Sequence, residues 1–197
     1  SQAPYLIPKA RTGYRLGHGN LIDSMIFDGL WDVYNDIHMG NCAEICARDR
    51  DYSISDQNDF AKESYRRAID AQKSGAFNNE IIAIDVKNKN NTITFNDDEE
   101  PEKVNFEKMD TLKPVFEEDG TITAANASKI NDGAACLLLM SEYKSSELGF
   151  KPLARIVSQS SAAHDPKWFT TAPIEAIKKV LMKADMEVDD INLWEIN

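Results

Sequence analysis

Nucleophilic and acid–base chemistry in this chain has few candidates: three cysteines, Cys42, Cys46 and Cys136, and three histidines, His18, His38 and His164. Cys42 and Cys46 stand four apart and share one face of a helix, but a metal would want two more ligands in reach. No Cys/His set has zinc spacing, so the cysteines read as free, packed thiols. An odd cysteine count without framework spacing also fits a reducing compartment. His38 precedes "MG" at a loop-to-helix junction, where it reads either as a ligand contact or as a surface histidine. His18 in "GHGN" and His164 in "AAHDP" carry less signal, and the acidic pairs Asp97/Asp98 and Glu117/Glu118 read as solvated faces. There is no Gly-rich phosphate loop of the P-loop or dinucleotide type. The most unusual stretch is "TAANASKINDGAACLLLM", residues 123–140, where small residues and a turn lead straight into an apolar run.

These residues need elements to hold them. Residues 1–38 read as loop, punctuated by Pro4, Pro8, Gly13, Gly17 and Gly19 and carrying a local basic cluster of Lys9, Arg11 and Arg15. A helix is expected over 40–51, and a second from Asp56 to Ser74. Ser53 or Ser55 would cap the second, Phe60, Ser64/Tyr65, Ala68 and Ala71/Gln72 would form its inner stripe, and Gly75 would stop it. "EIIAIDVKNKNNTITF" reads as a hairpin, "NDDEEPEK" as a solvated loop, and Phe106, Met109 and Leu112 as a short helical turn. Ala134–Met140 has the continuous apolar character of a strand buried on both faces. Ser141 can cap a helix running to Leu148 with Gly149 as its end, residues 152–159 read as a strand, and Pro173 opens a helix with Ile174, Ile177, Val180, Leu181 and Ala184 on one face. Residues 191–196 read as a last strand, which gives the alternation of an α/β layered fold.

Composition narrows the function. A net charge of −11 argues against a nucleic-acid surface, and no run of about 18 apolar residues is present to cross a bilayer. An anionic ligand would have to be met locally, by a cluster such as residues 9–15.

Taken together, "SQAPYLIPKARTGYRLGHG", "IHMGNCAE" followed by "DQNDFAKESYRRA", "TITAANASKINDGAA" and "WEIN" resemble the thiolases, in order and over essentially all 197 residues. Within that family the likeness is to the short-chain acetyl-CoA C-acetyltransferase class. The resemblance implies an α/β thiolase-like fold. Residues 1–128 would be the loop domain that forms a CoA-binding lid, 129–150 the end of the N-terminal half, and 151–197 the start of the C-terminal half. It implies a reversible Claisen condensation of two acetyl-CoA to acetoacetyl-CoA and CoA, in which one cysteine carries the acyl group and another acts as base.

The resemblance also implies residue roles. Asn197 would hold the water of the oxyanion site. Ala124, Ala127 and Ser128 would wall the pantetheine arm, and His38, Met39 and Leu30 would line the substrate channel. The carbonyls of Ala124, Ala125 and Ala127 would be the potassium donors of those members that use it, although Pro101 stands where the family pattern has an aromatic and Ile45 where it has an Asn. CoA thioesters would be substrates with no tightly bound cofactor, and the full-length protein would be a homodimer or homotetramer in mitochondrion or cytoplasm, with no nucleic-acid or membrane partner. None of the three cysteines falls in the family's nucleophile or base motif, Cys42 and Cys136 standing at packing positions. The expectation is therefore a central portion of an enzyme of about 40 kDa, inactive by itself. The alternative is a non-catalytic thiolase-like protein that binds acyl-CoA or a partner subunit.

Overall fold

A computed structural model describes residues 2–89 and 91–196; Asn197, expected to serve the oxyanion site, lies outside the described residues. The chain forms two compact units, Ser1–Ala43 together with Lys129–Asn197, and Glu44–Ser128.

The first unit begins with two short antiparallel ribbons. Tyr5–Leu6 (β1) pairs with Ile22–Asp23 (β2), and after a π-helical turn at Met25–Leu30, Trp31–Asp32 (β3) pairs with Ile37–His38 (β4). Helix α1, Met39–Asp49, follows without a break, and the division between the units falls inside it. Further along, Glu142–Leu148 (α4) starts as expected. The Ser141 side chain accepts the Lys144 amide, and Gly149 at φ 70° closes the helix in the left-handed conformation that glycine adopts freely. Helix α5, Ala172–Ala184, has Pro173 in its first turn. Its inner face holds Pro173, Ala176, Ile177, Val180, Leu181 and Ala184, whereas Ile174, expected on that face, is an exposed rim residue.

Three expected strands do not form. Residues 134–140, 152–159 and 191–196 enter no ladder, and the side chains that should have been core are open, with Leu138 78% and Ile156 71% exposed. Cys136 is likewise exposed rather than packed. The physical reason is that a run apolar on both faces is stable as a strand only between neighbouring strands under covering layers. Among the described residues nothing pairs with these segments. Residues 159–161 do lie along α5, where Ser160 Oγ donates to the Ala176 carbonyl at 2.6 Å and Lys183 Nζ to that of Gln159 at 3.1 Å.

The second unit is built on helix α2, Ile54–Lys73. Its start is a reciprocal capping box, in which Ser53 Oγ accepts the Asp56 amide while the Asp56 carboxylate accepts the Ser53 amide. Its end is Gly75 at φ 73°. The inner stripe differs from expectation. It runs through Ile54, Asn58, Ala61, Tyr65, Ala68 and Gln72, while Phe60 points outward at 80% exposure. Asn58 sets this rotation, because its buried amide group donates to Asp110 Oδ1 at 3.2 Å and accepts from Asn126 at 3.0 Å. The expected hairpin is present as Ile84–Asn88 (β5) and Asn91–Phe95 (β6), with Ile84 opposite Phe95 and Val86 opposite Ile93. The acidic loop contains a single 3-10 turn, Pro101–Lys103, whose proline is buried, and Phe106–Met109 (α3) follows. Met109 is fully buried, a contribution of about 1.5–3 kcal/mol by area. Tyr65 meets the Phe106 ring edge-on at 6.5 Å, and Arg66 lies over the same ring.

Removing the cap tests the origin of α2. Ser53→Ala is expected to destabilise the protein by about 1 kcal/mol, and Ser53→Gly by less, measured as shifts in thermal melting.

Candidate functional site

Two clusters carry the residues singled out above, one in each compact unit. In the first unit, the β3–β4 hairpin presents His38. The Asp32 carboxylate folds its turn by accepting the Tyr34 amide at 3.0 Å and the Asn35 side-chain amide at 2.6 Å, and Trp31 Nε1 donates to Asp36 Oδ1 at 3.0 Å. Asp36 sits at φ 57° in this turn. The hydrogen bond from Asn35, helped by the backbone amides of Tyr34 and Asn35 and opposed by desolvation, holds the Asp32 carboxyl below its ordinary value.

His38 is half-buried. Its Nδ1 accepts the Gly40 amide at 2.9 Å, and its ring meets Trp31 edge-on at 6.5 Å. A neutral imidazole that accepts at Nδ1 carries its proton on Nε2, so the Gly40 amide in the first turn of α1 sets the tautomer while Trp31 of the hairpin meets the ring edge-on. Met39 and Leu30 are half-buried in the same unit, Leu30 as the last residue of the π-helical turn. Cys42 Sγ, fully buried, lies 3.9 Å from Asp32 Oδ2. Burial, with the charge of Asp32 adding to it, pushes the thiol up and keeps it protonated, the opposite of what an attacking cysteine requires. Lys9 and Arg11 are exposed on a tight loop closed by the Gly13 amide to the Lys9 carbonyl at 2.9 Å, and Arg15 is exposed just beyond it.

The second cluster is the small-residue turn. Thr123, wholly buried, accepts the Ala125 amide on Oγ1 at 3.2 Å and the Ala127 amide on its carbonyl at 3.0 Å. Asn126 Oδ1 accepts the Thr123 amide at 2.7 Å, and Asn126 Nδ2 donates to Asn58 Oδ1 at 3.0 Å and to the Thr121 carbonyl at 3.1 Å. Polar groups thus hold the turn from behind, with Ala124 and Ser128 at the surface and Ala125 and Ala127 half-buried. Glu44, only 1% exposed, accepts the Thr121 and Ile122 amides just before it.

The sequence reading missed Asp32, Glu44, Asn58 and Asn126. For Glu44 a signal existed. Every residue from 40 to 47 is buried or half-buried, so a lone carboxylate in that apolar segment is out of place unless the fold supplies donors.

With that geometry in view, the comparisons are specific. The thiolase N-terminal domain model matches residues 1–143 and the thiolase C-terminal domain model residues 150–197, so the chain belongs to the thiolase family. Over 197 residues it is 47% identical to the acetyl-CoA acetyltransferase of Yarrowia lipolytica, covering 100% of this chain and 49% of that protein. For the acetyl-CoA acetyltransferase of Schizosaccharomyces pombe the identity is 44%, with 100% and 50% covered. The crystal structure of the Bacillus anthracis acetyl-CoA acetyltransferase superposes with a TM-score of 0.92 at 40% identity, over 96% of this chain and 48% of that one. The chain therefore has the α/β thiolase fold and spans about half the length of the relatives it matches. No helix among the described residues is long and apolar enough to cross a membrane.

The lowered Asp32 carboxyl has a consequence with pH. The stability it contributes is present above the ordinary aspartate value of about 3.9 and is lost as pH falls below it, through the lower folded value. Asp32→Asn is expected to make melting temperature depend less steeply on pH below about pH 4, read by thermal denaturation across a pH series.

Proposed function

We propose that these residues serve an acyltransferase that reversibly condenses two acetyl-CoA into acetoacetyl-CoA and CoA. They would supply the CoA-binding lid (1–128), the end of the N-terminal half (129–150) and the start of the C-terminal half (151–197). The observation that carries the reading is the Thr123–Ser128 turn. It is tightly bonded on its inner side and lined by methyl groups and a hydroxyl on its outer side, a surface that suits a slender amide-bearing arm such as pantetheine. The names of the relatives supply the acetyl-CoA part.

In this proposal Ala124, Ala127 and Ser128 contact the pantetheine, and Lys9, Arg11 and Arg15 offer charge to the CoA phosphates. His38, Met39 and Leu30 line the acyl channel, where the fixed ring of His38 orients the thioester. Asn197 holds the oxyanion water. Acyl transfer needs a thiolate and a base, and the buried, protonated Cys42 suits neither role. Potassium, in this reading, would be held by the carbonyls of Ala124, Ala125 and Ala127, with Pro101 standing where the family pattern has an aromatic.

The test is made on the protein as it occurs in its source, captured with an antibody against residues 1–197 and assayed for CoA-dependent cleavage of acetoacetyl-CoA. Cleavage that thiol alkylation abolishes is the expected result, and the same protein expressed from its gene with His38→Ala is expected to show KM raised about tenfold. CoA binding without cleavage would replace the enzyme with the binding protein.

A further inference from the structure

We propose that Glu44 is a positioning residue for the Thr123–Ser128 turn, setting from behind the surface offered to the pantetheine arm. This inference rests on the reading of that turn as the pantetheine wall. Glu44 is fully buried, and among the described residues no lysine, arginine or histidine pairs with it. Its charge is met by main-chain and hydroxyl donors. The Thr121 amide reaches both carboxylate oxygens at 2.9 Å, the Ile122 amide reaches Oε1 at 2.8 Å, and Thr121 Oγ1 donates to Oε2 at 2.9 Å. Gln57 Nε2 donates to the same hydroxyl at 2.7 Å, which leaves the hydroxyl proton for the carboxylate.

A buried carboxylate is a poor way to gain stability, because desolvating it costs several kcal/mol. What it provides here is orientation. The peptide group joining Thr121 and Ile122 is gripped on both edges, its N–H by Glu44 and its carbonyl by Asn126 Nδ2 at 3.1 Å. Asn126 in turn fixes Thr123 and is anchored to Asn58. Rotating that one peptide plane would move Asn126, and with it the amides of the turn. Gly120 makes the arrangement feasible. A Cβ there would overlap Glu44 Oε1 and come within 3.1 Å of the Glu117 carbonyl, so a side chain would push the carboxylate off its donors.

The experiment compares Glu44→Gln, Glu44→Asp, Gly120→Ala and Ala127→Val in the protein as its gene encodes it. CoA affinity is measured by calorimetry, with KM against kcat for acetyl-CoA, amide exchange at Ala125 and Ala127, and melting temperature. Glu44→Gln keeps the shape but removes the charge and one of the two acceptor oxygens, so an NH2 must stand either where Oε2 meets the Thr121 hydroxyl or where Oε1 meets the Ile122 amide. It is expected to weaken CoA binding and raise KM about tenfold with kcat within about twofold, and to speed exchange at Ala125 and Ala127. Gly120→Ala, which keeps the charge, acts in the same direction, and Glu44→Asp restores part of the affinity.

Lower melting temperature with unchanged CoA affinity in Glu44→Gln and Gly120→Ala would overturn the proposal. If Ala127→Val then weakens CoA binding, the pantetheine reading stands and only the positioning role falls; if it too is silent, both fall. Should Glu44→Gln fail to fold, Glu44→Asp and Gly120→Ala decide by the same criterion.

Discussion

A carboxylate removed from water must have its lone pairs met by donors, and in the Glu44–Ser128 unit that requirement organises much of the rest. Glu44 draws Thr121 and Ile122 onto α1, which demands a glycine at 120 and a threonine whose hydroxyl can both accept and donate. The same segment then bridges back, with the Val115 amide on the Ile122 carbonyl at 2.9 Å and Thr123 paired with Pro114. Ile122 and Met109 fill the small apolar core beside it. The polar contacts decide where the chain goes, and the apolar ones make it favourable to go there.

Asp32 uses the same device on a smaller scale, collecting the Tyr34 and Asn35 amides to close the hairpin that orients His38. Carboxylates at the surface do less. Pairs such as Glu63 with Arg67 or Glu99 with Lys103 are exposed on both sides, and ion pairs of that kind contribute about 0–1 kcal/mol each. The distinction separates acids that shape the molecule from those that only carry charge at its surface.

The legible parts of the fold were those whose causes are local. Ser53 with Asp56, Ser141 with Gly149, and Pro173 mark helix ends by bonds made within a few residues, and the β5–β6 pairing follows from alternation across a short turn. The strands expected at 134–140, 152–159 and 191–196 were misread for a physical reason. Their apolar character describes what must surround them, and a window of sequence cannot supply the surroundings. Phe60 and Asn58 were exchanged in the reading of α2 because hydrophobicity favours Phe60 inward, while the hydrogen bonds that hold Asn58 there come from residues about fifty and seventy positions away. In the two clusters, the resemblance named Ala124, Ala127 and Ser128 in one and His38 in the other, but the groups that hold them in place were invisible until the chain was folded.

The capping box of α2 bears on the order in which the chain acquires its structure. Both of its bonds link residues three apart, and the stop at Gly75 is equally local, so this helix can form on the submicrosecond scale of isolated helices. The bonds from Glu44 to Thr121 join residues 77 apart and cannot form until the intervening chain, α2 included, has been brought together. A helix formed early between the two ends would shorten the span that this long closure has to search. The Thr123–Ser128 turn, held through contacts so distant in sequence, would then be among the later parts of its unit to set, and slower folding would be the cost of placing it so far along the chain from the carboxylate that holds it.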